Sequence, residues 1–318
     1  MAGLAAVAVT ACAPPDRPPR LPDPLPAATT AYLHPDTART RRIAPGVWYR
    51  YLWSTEGPWA VHVVEADLRR CELGLDVVRA PAAPRDAGEA GAGSGSSGRA
   101  LVSEIPGVVE TPGTLVAVNG DFFTPEGVPL GPELTDGRLR TARNRPVLAW
   151  RPGWMPWVGT ARVEGDSVLR LAWPVPLGEG AARDSAAEVI GGYPELLAGG
   201  QRVGDLLVSG NPGFAASRHP RTAFGHHPPS GRVWLLVVDG RQGEYSLGMT
   251  LPELTRLLET LGATEALNLD GGGSSVMVVG GRPVNRPSDE AGERPVANAL
   301  VLRRAPDSYC APGRPRPR

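Results

Sequence analysis

The sequence predicts an α+β fold, in which mixed, strand-rich sheets with a few helices form a single compact domain that includes one parallel strand-helix-strand unit. The chain has 318 residues, and 42% of them are hydrophobic, which is enough for a sizeable buried core. Short runs of aromatic and β-branched residues fill the first half, as is typical of strands. An amphipathic helical pattern lies between two apolar runs in the second half. We place the domain at residues 46–304, between an N-terminal segment, 1–45, and a C-terminal tail, 305–318.

The N-terminal segment has the features of an export signal remnant followed by a linker. Val9, Thr10, Ala11 and Cys12 resemble the lipobox of bacterial lipoproteins, in which the cysteine is lipidated after cleavage. The proline-rich run after Cys12 is typical of a semi-rigid spacer. We therefore expect an exported protein, either secreted or lipid-anchored at the cell envelope, whose only contact with a membrane is a lipid on Cys12.

The composition excludes several chemistries. All 33 basic residues are arginines, so a lysine Schiff base and a lysine-containing phosphate loop are both impossible. The formal net charge is zero and no basic stripe is interleaved with aromatic residues, so we expect no nucleic-acid partner. The remaining cysteines, Cys71 and Cys310, fit either a disulfide that ties the tail to an early strand or two unrelated thiols.

Apolar runs of strand length recur along the first part of the chain, separated by turns rich in glycine and proline. The runs are WYRYLW (48–53), WAVHVVEADL (59–68), CELGLDVVRA (71–80), TLVAV (114–118), PVLAW (146–150), ARVEG (161–165) and VLRLAW (168–173).

A strand-helix-strand unit is the best-defined element of the second half. VWLLVV (233–238) has the continuous hydrophobicity of a strand buried on both faces. Thr250 and Glu253 form a capping box at the start of a helix, and Gly262 can end it. The apolar stripe of this helix comprises Leu251, Leu254, Leu257, Leu258 and Leu261. EALNLD (265–270) follows as a second strand, and the crossover between the two strands should be parallel and right-handed.

This connection predicts a polar rim at one edge of the sheet. Two parallel strands joined by a crossover helix end on the same side, which places Asp239 beside Asp270. Asn268 and Asp270 are two residues apart on a strand and therefore point to the same face. Asn119 and Asp121 likewise follow an apolar run, beside a glycine.

Three glycines and a serine come directly after Asp270. Gly271, Gly272 and Gly273 could simply form a turn. A tight hairpin needs only two residues, however, so a third glycine suggests that a ligand approaches the backbone closely. Successive amide groups in such a turn can form an anion-binding nest, to which the hydroxyls of Ser274 and Ser275, the next two residues, would add donors.

Arginines supply the complementary charge for an anion. Arg218 and Arg221 lie in a segment that reads as a proline-broken loop, and Arg241 follows Asp239 at the same predicted rim as Asp270. Each could instead be a solvated surface charge, which is the usual location of a single arginine.

Six stretches together resemble the phosphodiester glycosidases, a family named for the enzyme that removes N-acetylglucosamine from mannose 6-phosphate tags. We identify the chain as similar to a bacterial member over roughly residues 46 to 304. His219 and Asp121 depart from the residues common in that family. The stretches are AVNGDFF (117–123), GYPELLAGG (192–200), RHPRTAFG (218–225), VVDGRQ (237–242), LNLDGGGSS (267–275) and RPVANALVL (294–302).

The resemblance implies hydrolysis of the bond between a sugar's anomeric carbon and a phosphodiester oxygen. Because the leaving group is a phosphate whose second pKa is about 6, it needs little general-acid help. On this basis Asp270 is the expected nucleophile or general base, with Asp239 as the alternative catalytic carboxylate, and Arg221 and Arg241 would hold the phosphate. The residues expected to bind substrate are Asn119, Asp121, Asn268, Gly271, Gly272, Gly273, Ser274 and Arg218. Turn capping is an equally simple explanation of Asp239 and Asp121.

Two alternatives remain open at this point. We expect no cofactor, but Asp121, Asp239 and Asp270 carry the hard oxygen ligands that suit calcium or magnesium. The expected partner is a sugar phosphodiester or envelope glycan of the exopolysaccharide type. A domain that binds envelope polysaccharide or assists exopolysaccharide assembly without turnover is the alternative to a hydrolase.

Overall fold

The structure is a computed structural model that describes residues 24–70, 72–82, 98–141, 143–151, 154–165, 167–170, 186–204, 206 and 211–304. Cys12, Cys71 and Cys310 lie outside these ranges, and with them the predicted lipid attachment and disulfide. Within the described ranges, no helix is both long enough and apolar enough to cross a bilayer.

Short strands make up most of the regular structure. In chain order the strands are β1 (Thr37–Ala44), β2 (Val47–Ser54), β3 (Trp59–Asp67), β4 (Leu73–Arg79), β5 (Thr114–Asn119), β6 (Leu134–Thr135), β7 (Arg138–Leu139), β8 (Pro146–Trp150), β9 (Trp157–Glu164), β10 (Ser167–Arg170), β11 (Glu188–Gly191), β12 (Glu195–Ala198), β13 (Gln201–Arg202), β14 (Arg221–His227), β15 (Arg232–Val238), β16 (Glu265–Asn268), β17 (Met277–Val279), β18 (Arg282–Pro283) and β19 (Asn298–Arg304). The α-helices are α1 (Ala27–Leu33), α2 (Pro106–Val109), α3 (Pro212–Ala216) and α4 (Leu251–Leu261).

Three sheets contain these strands. The first has eight strands in the order β1-β2-β3-β15-β14-β16-β12-β13. The second has six, in the order β10-β9-β8-β11-β6-β7, and the third has five, in the order β18-β17-β5-β19-β4. Within the described residues, each predicted strand run overlaps a strand, although the ends differ by a few residues. Cys71 and residues 171–173, which belong to two of these runs, lie outside the described ranges.

The predicted fold class was wrong, because every strand pairing in the described part of the chain is antiparallel. The sheets are therefore not mixed, and β15 and β16 do not form a parallel strand-helix-strand unit. Instead β14 lies between them and pairs antiparallel with both. The sequence reading treated Arg221 and its neighbours as a loop, whereas they form β14, which a short turn joins to β15 as a local hairpin. Two antiparallel steps leave β15 and β16 running in the same direction, so both strands still end at one edge of the sheet.

The predicted helix is confirmed as α4. Thr250 Oγ1 accepts a hydrogen bond from Glu253 N, and the Glu253 carboxylate accepts one from Thr250 N, so both bonds of the capping box are present. Gly262 ends the helix in the left-handed conformation, with φ of 99°. All five leucines of the predicted stripe are buried.

The eight-stranded sheet forms the centre of the molecule and is covered on both faces. Along β15, Trp234, Leu236 and Val238 pack with the leucines of α4. The alternate residues, represented by Val233 and Leu235, pack with side chains from the other two sheets. Successive side chains of a strand point to opposite faces, so this continuous apolar run gives a strand buried on both sides.

Candidate active site

The candidate site lies where strands from two different sheets end. Asp270 follows β16 of the eight-stranded sheet, and Asn119 ends β5 of the five-stranded sheet. The amide Nδ2 of Asn119 donates a 2.6 Å hydrogen bond to the carbonyl oxygen of Asp270, and Asp270 N donates a 2.9 Å bond to Gly120 O. Asn119 Oδ1 accepts hydrogen bonds from Thr222 Oγ1 and Val276 N. Asn119 thus ties the two strand ends together and is occupied by protein groups.

The glycines after Asp270 allow close packing on three sides. A Cβ on Gly271 would lie 2.8 Å from the carbonyl oxygen of Pro220, and one on Gly272 would lie 3.1 Å from Nη2 of Arg241. A Cβ on Gly273 would collide with the side chains of Asp289 and Arg294. Gly272 also has a positive φ of 61°, which favours glycine. The backbone therefore approaches cationic and polar groups more closely than a side chain would permit.

Two carboxyl groups in the site have raised pKa values. Burial raises the pKa of Asp270 to about 6, although the nearby hydroxyl of Ser274, the hydrogen bond from Gly271 N and the charge of Arg294 act in the opposite direction. Burial raises the pKa of Asp121 to about 7, and the charge of Asp270 contributes to that increase. The negative charge of Asp270 opposes ionisation of Asp121, so the two carboxyl groups titrate as a coupled pair.

The carboxylate of Asp121 lies close to Gly131 and Gly191, where a side chain in place of either glycine would leave it no room. Its Oδ2 accepts a 2.6 Å hydrogen bond from Gly131 N, and its Oδ1 accepts a 2.8 Å bond from Phe122 N. A Cβ on Gly191 would lie 2.6 Å from Oδ2. Both oxygens therefore have backbone donors, and the side chain is only 1% exposed.

Arg221 and Arg241 lie near each other and beside the glycine-rich turn. Arg221 is buried, and its guanidinium donates hydrogen bonds to the backbone carbonyls of Met249, Phe214 and Ser217. Burial lowers the pKa of Arg221 to about 10, and the positive charge of Arg241 contributes to this shift. Arg241 is exposed and has an unusual positive φ of 60°. Two neighbouring cations with little carboxylate compensation favour the binding of an anion.

Arg218 is placed differently from the other two arginines. It forms a 2.6 Å ion pair with Glu253, donates a hydrogen bond to Gly57 O and packs its guanidinium over the ring of Trp59 at 5.4 Å. These contacts join the start of α4 to the turn before β3. The structure therefore shows Arg218 engaged in protein contacts rather than directed at the carboxyl pair.

Asp239 is surrounded by donors. Its carboxylate accepts hydrogen bonds from Tyr245 Oη, Asn285 Nδ2 and Arg286 N, and Oδ2 lies 3.2 Å from Nε2 of His62. Asn285 Nδ2 also reaches Ser275 O, at the end of the glycine-rich turn. Asp239 is 1% exposed, so this environment favours a positioning role over direct attack on a substrate.

The remaining predicted substrate-binding residues, Asn268 and Ser274, are buried. Asn268 is buried, and its Nδ2 donates a 2.7 Å hydrogen bond to Tyr193 O. Ser274 is buried beside Asp270 and contributes to its pKa. Across the described ranges, no three histidine, cysteine, aspartate or glutamate side chains are grouped so as to hold a metal ion. The structure therefore does not gather Asp121, Asp239 and Asp270 as a ligand set there.

A family model described as phosphodiester glycosidase matches residues 112–303, which is more than half of the chain and includes every residue of the candidate site described above except Gly57, Trp59 and His62. The chain belongs to the phosphodiester glycosidase family. A curated relative, the SPbeta prophage-derived uncharacterized protein YomE of Bacillus subtilis (strain 168), is 38% identical over 85 residues. That alignment covers 27% of this chain and 13% of the relative, so the chain spans only a small part of that protein.

Solved structures share the fold. A hypothetical protein from Synechocystis superposes with a TM-score of 0.61 at 19% identity, over 84% of this chain and 63% of that one. The catalytic domain of zebrafish N-acetylglucosamine-1-phosphodiester alpha-N-acetylglucosaminidase has a TM-score of 0.59 at 23% identity, over 85% of this chain and 89% of that one. A putative exported protein from Burkholderia pseudomallei has a TM-score of 0.55 at 22% identity, with coverages of 78% and 74%. At these identities the likeness establishes the fold alone.

In this phosphodiester glycosidase domain, several residues near the site were missed by sequence reasoning. Arg294 lowers the pKa of Asp270 and forms an ion pair with Asp289. Arg145 lowers the pKa of Asp121. Arg294 begins one of the family stretches, which was a signal that could have identified it. Arg145 lies in no such stretch and carries no spacing that relates it to Asp121.

A series of buried hydrogen bonds and ion pairs also holds Asp121 in place. Asn298 Oδ1 accepts a 2.9 Å hydrogen bond from Asp121 N, and Asn298 Nδ2 donates to the fully buried carboxylate of Glu133. Glu133 in turn pairs with Arg79 and Arg140. Because these residues come from three distant segments, their convergence could not be read from the sequence of this family member.

Proposed function

We propose that this protein hydrolyses the glycosidic bond between a sugar anomeric carbon and a phosphodiester. The observation that carries this proposal is that Asp270, which has a raised pKa, leads into a glycine-rich turn whose backbone lies against the guanidinium of Arg241, which in turn neighbours the buried Arg221. Membership of the phosphodiester glycosidase family supports the same reaction class.

Asp270 is the residue that we assign to the chemical step. Its pKa of about 6 leaves it ionised at neutral pH, yet basic enough to accept a proton from water or to attack the anomeric carbon. The hydrogen bond that the side-chain Nδ2 of Asn119 donates to the Asp270 carbonyl oxygen holds the residue in place. Asp121, with a pKa of about 7, remains largely protonated while Asp270 ionises. At neutral pH Asp121 is therefore only partly ionised, so the pair carries less than two full negative charges, which reduces repulsion of an anionic substrate.

Arg221 and Arg241 act on the leaving group. Cleavage increases the negative charge on the departing phosphate, and fixed guanidinium groups stabilise that charge as it develops. Arg221 is held by three backbone carbonyls, so its orientation does not depend on the substrate. This preorganisation is what makes an electrostatic contribution effective in the transition state.

The substrate class that we propose is a sugar phosphodiester of envelope or exopolysaccharide type, processed by an exported protein that is lipid-anchored through Cys12 or secreted. The lipobox-like residues and the proline-rich linker support export. We assign no cofactor to the reaction, because the residues named above supply both the nucleophile or base and the positive charge.

The direct test uses a synthetic glycosyl phosphodiester with a chromogenic alcohol, assayed for release of free sugar and phosphate monoester. The wild type should turn over, whereas Asp270→Asn and Arg241→Ala should lose at least about 100-fold in kcat, because one removes the nucleophile or base and the other removes transition-state charge stabilisation. Arg39→Ala, an exposed arginine on β1, is the matched control and should retain full activity. Equal turnover by all four proteins would exclude the assignment. Binding of the wild type to envelope polysaccharide without any turnover would favour the non-catalytic alternative.

A further inference from the structure

Arg145 lies half-buried between two aromatic rings on the Asp121 side of the site. Its guanidinium carbon is 5.3 Å from the ring centroid of Tyr193 and 5.8 Å from that of Phe122. The base of its side chain packs near Gly131, where a Cβ would lie 3.6 Å from the Cβ of Arg145. Contact with aromatic faces restrains the orientation of a guanidinium. Its N–H groups, which point outward in the guanidinium plane, can still donate hydrogen bonds.

Within the described part of the chain, no protein group accepts a hydrogen bond from this guanidinium. In the described ranges Arg145 has neither an ion pair nor a hydrogen-bond acceptor, whereas Arg79 and Arg140 both direct their charges at Glu133. Asp121 is near enough to sense the charge of Arg145, but backbone N–H groups already bond to both oxygens of its carboxylate. Arg145 is therefore an ordered cation with unsatisfied donors beside the carboxyl pair.

Aromatic contacts connect Arg145 to the cations already assigned. Phe122 packs edge-to-face with Phe214 at a centroid distance of 5.9 Å, and the Arg221 guanidinium carbon lies 5.3 Å from the centroid of Phe214. Two half-buried rings thus separate Arg145 from Arg221 in a continuous row. Because Arg221 also lies beside Arg241, positive charge reaches the site from both the Asp121 and the Asp270 ends.

We propose that Arg145 is a substrate-binding residue that holds the phosphate oxygens from the Asp121 side, while Arg221 and Arg241 act from the Asp270 side. This inference rests on the proposed function, since it names a further contact to the same phosphodiester. The planar fork of Arg145 suits two oxygens of one phosphate group, which a lysine ammonium at the same position would not match. Its contact strengthens as the phosphodiester becomes a monoester, because the negative charge on those oxygens increases.

The test measures binding of inorganic phosphate by titration calorimetry, so that it does not depend on turnover. The variants are Arg145→Gln, which removes the charge, and Arg145→Lys, which keeps the charge and removes the fork. Arg143→Gln is the matched control, because Arg143 is exposed and lies two residues away. We expect phosphate affinity to fall at least tenfold in Arg145→Gln and by a smaller factor in Arg145→Lys, with no change in Arg143→Gln. Thermal unfolding with and without phosphate gives a second readout, in which the phosphate-dependent rise in Tm should vanish only in Arg145→Gln.

Each possible result of these measurements either supports or overturns the inference. Unchanged phosphate affinity in Arg145→Gln overturns it, as does a wild type that binds no phosphate. A purely structural role for Arg145 would lower the Tm without phosphate and leave the phosphate affinity of the folded variant intact. Should Arg145→Gln not fold, an Arg145→Lys variant with wild-type phosphate affinity overturns the inference. A wild type that binds phosphate through Arg145 but does not cleave glycosyl phosphodiesters would refute the proposed function and leave this inference standing.

Discussion

The guanidinium of Arg241 lies directly against the backbone of Gly272, because a Cβ added to this glycine would be 3.1 Å from Nη2 of Arg241. Both residues have left-handed backbones, with φ of 60° at Arg241 and 61° at Gly272. This conformation costs a residue with a side chain about 1–2 kcal/mol, so the strain at Arg241 persists only because the surrounding structure holds it. This contact holds the turn that follows β15 against the turn that follows β16.

Gly272→Ala should reduce kcat/KM by at least about tenfold, because the new methyl group displaces Arg241 from the position in which it meets the phosphate. Gly280→Ala is the control, since Gly280 has a similar φ of 59° and open space around its missing side chain. Both variants should lose about 1 kcal/mol of unfolding free energy in a denaturant titration. Only Gly272→Ala should lose activity towards the glycosyl phosphodiester, and an equal loss in both would show that strain alone is responsible.

Asp239→Asn should destabilise the protein by about 2–4 kcal/mol, because the buried carboxylate accepts hydrogen bonds from several groups that an amide cannot all replace. Asp270→Asn should leave the unfolding free energy near that of the wild type, since burial already disfavours the charge of Asp270. Denaturant unfolding and turnover, measured on both variants, separate the two roles. If Asp239→Asn folds with wild-type stability and loses all activity, then Asp239 and not Asp270 is the better candidate for the chemical step.

The pH dependence of kcat/KM should show a rising limb with a midpoint of about 6, because Asp270 must lose its proton to act. Arg294→Gln should move this midpoint to higher pH, since the positive charge of Arg294 lowers the pKa of Asp270. Arg303→Gln, which removes an arginine paired with Asp76, serves as the control and should leave the limb in place. A midpoint that stays constant in Arg294→Gln would contradict the placement of Arg294 beside the reacting carboxylate.

Stability should also depend on the ionisation of Asp121. Its pKa of about 7 in the folded protein lies above the ordinary value of 3.8, so between these two pH values the folded protein holds a proton that the unfolded chain has already lost. The associated stability is fully present below the unfolded pKa and is lost as the pH rises through about 7. Asp121→Asn should therefore lose less unfolding free energy than the wild type between about pH 4.5 and about pH 8, by on the order of a few kcal/mol. An identical pH dependence in both proteins would show that Asp121 is ionised throughout.

Local signals predicted the elements that depend on neighbouring residues. The helix α4 begins and ends where Thr250, Glu253 and Gly262 indicate, because capping bonds and a left-handed terminator act within one turn of the chain. The strand β15 was also predicted, from a run of apolar residues too continuous for a one-sided strand. The glycine-rich turn after Asp270 was also predicted, because three successive glycines are more than a tight hairpin needs and indicate a close approach to the backbone.

The pairing between strands could not be predicted from local sequence signals. The segment from Arg221 to His227 contains no long apolar run, so it was read as a loop, yet it forms the strand that separates β15 from β16. A strand of this kind is stabilised by ladder hydrogen bonds to partners on both sides, which composition alone does not reveal. Arg145 was missed for a related reason, because its significance comes from rings and a carboxylate that lie far away along the chain.

The sequence by itself determined which short segments carry the chemistry: the Asp270 turn with its three glycines, the arginines near it and the helix that precedes it. The tertiary structure decided how those segments meet. The hydrogen bond from Asn119 to Asp270 joins two sheets, and hydrogen-bond donors surround Asp239. Arg145 has no ion pair or hydrogen-bond acceptor among the described residues. The physical reason is that capping, turn conformation and apolar patterning act over a few residues. The pairing of strands, the burial of a carboxyl group and the resulting shift of its pKa depend on residues brought together from the whole chain.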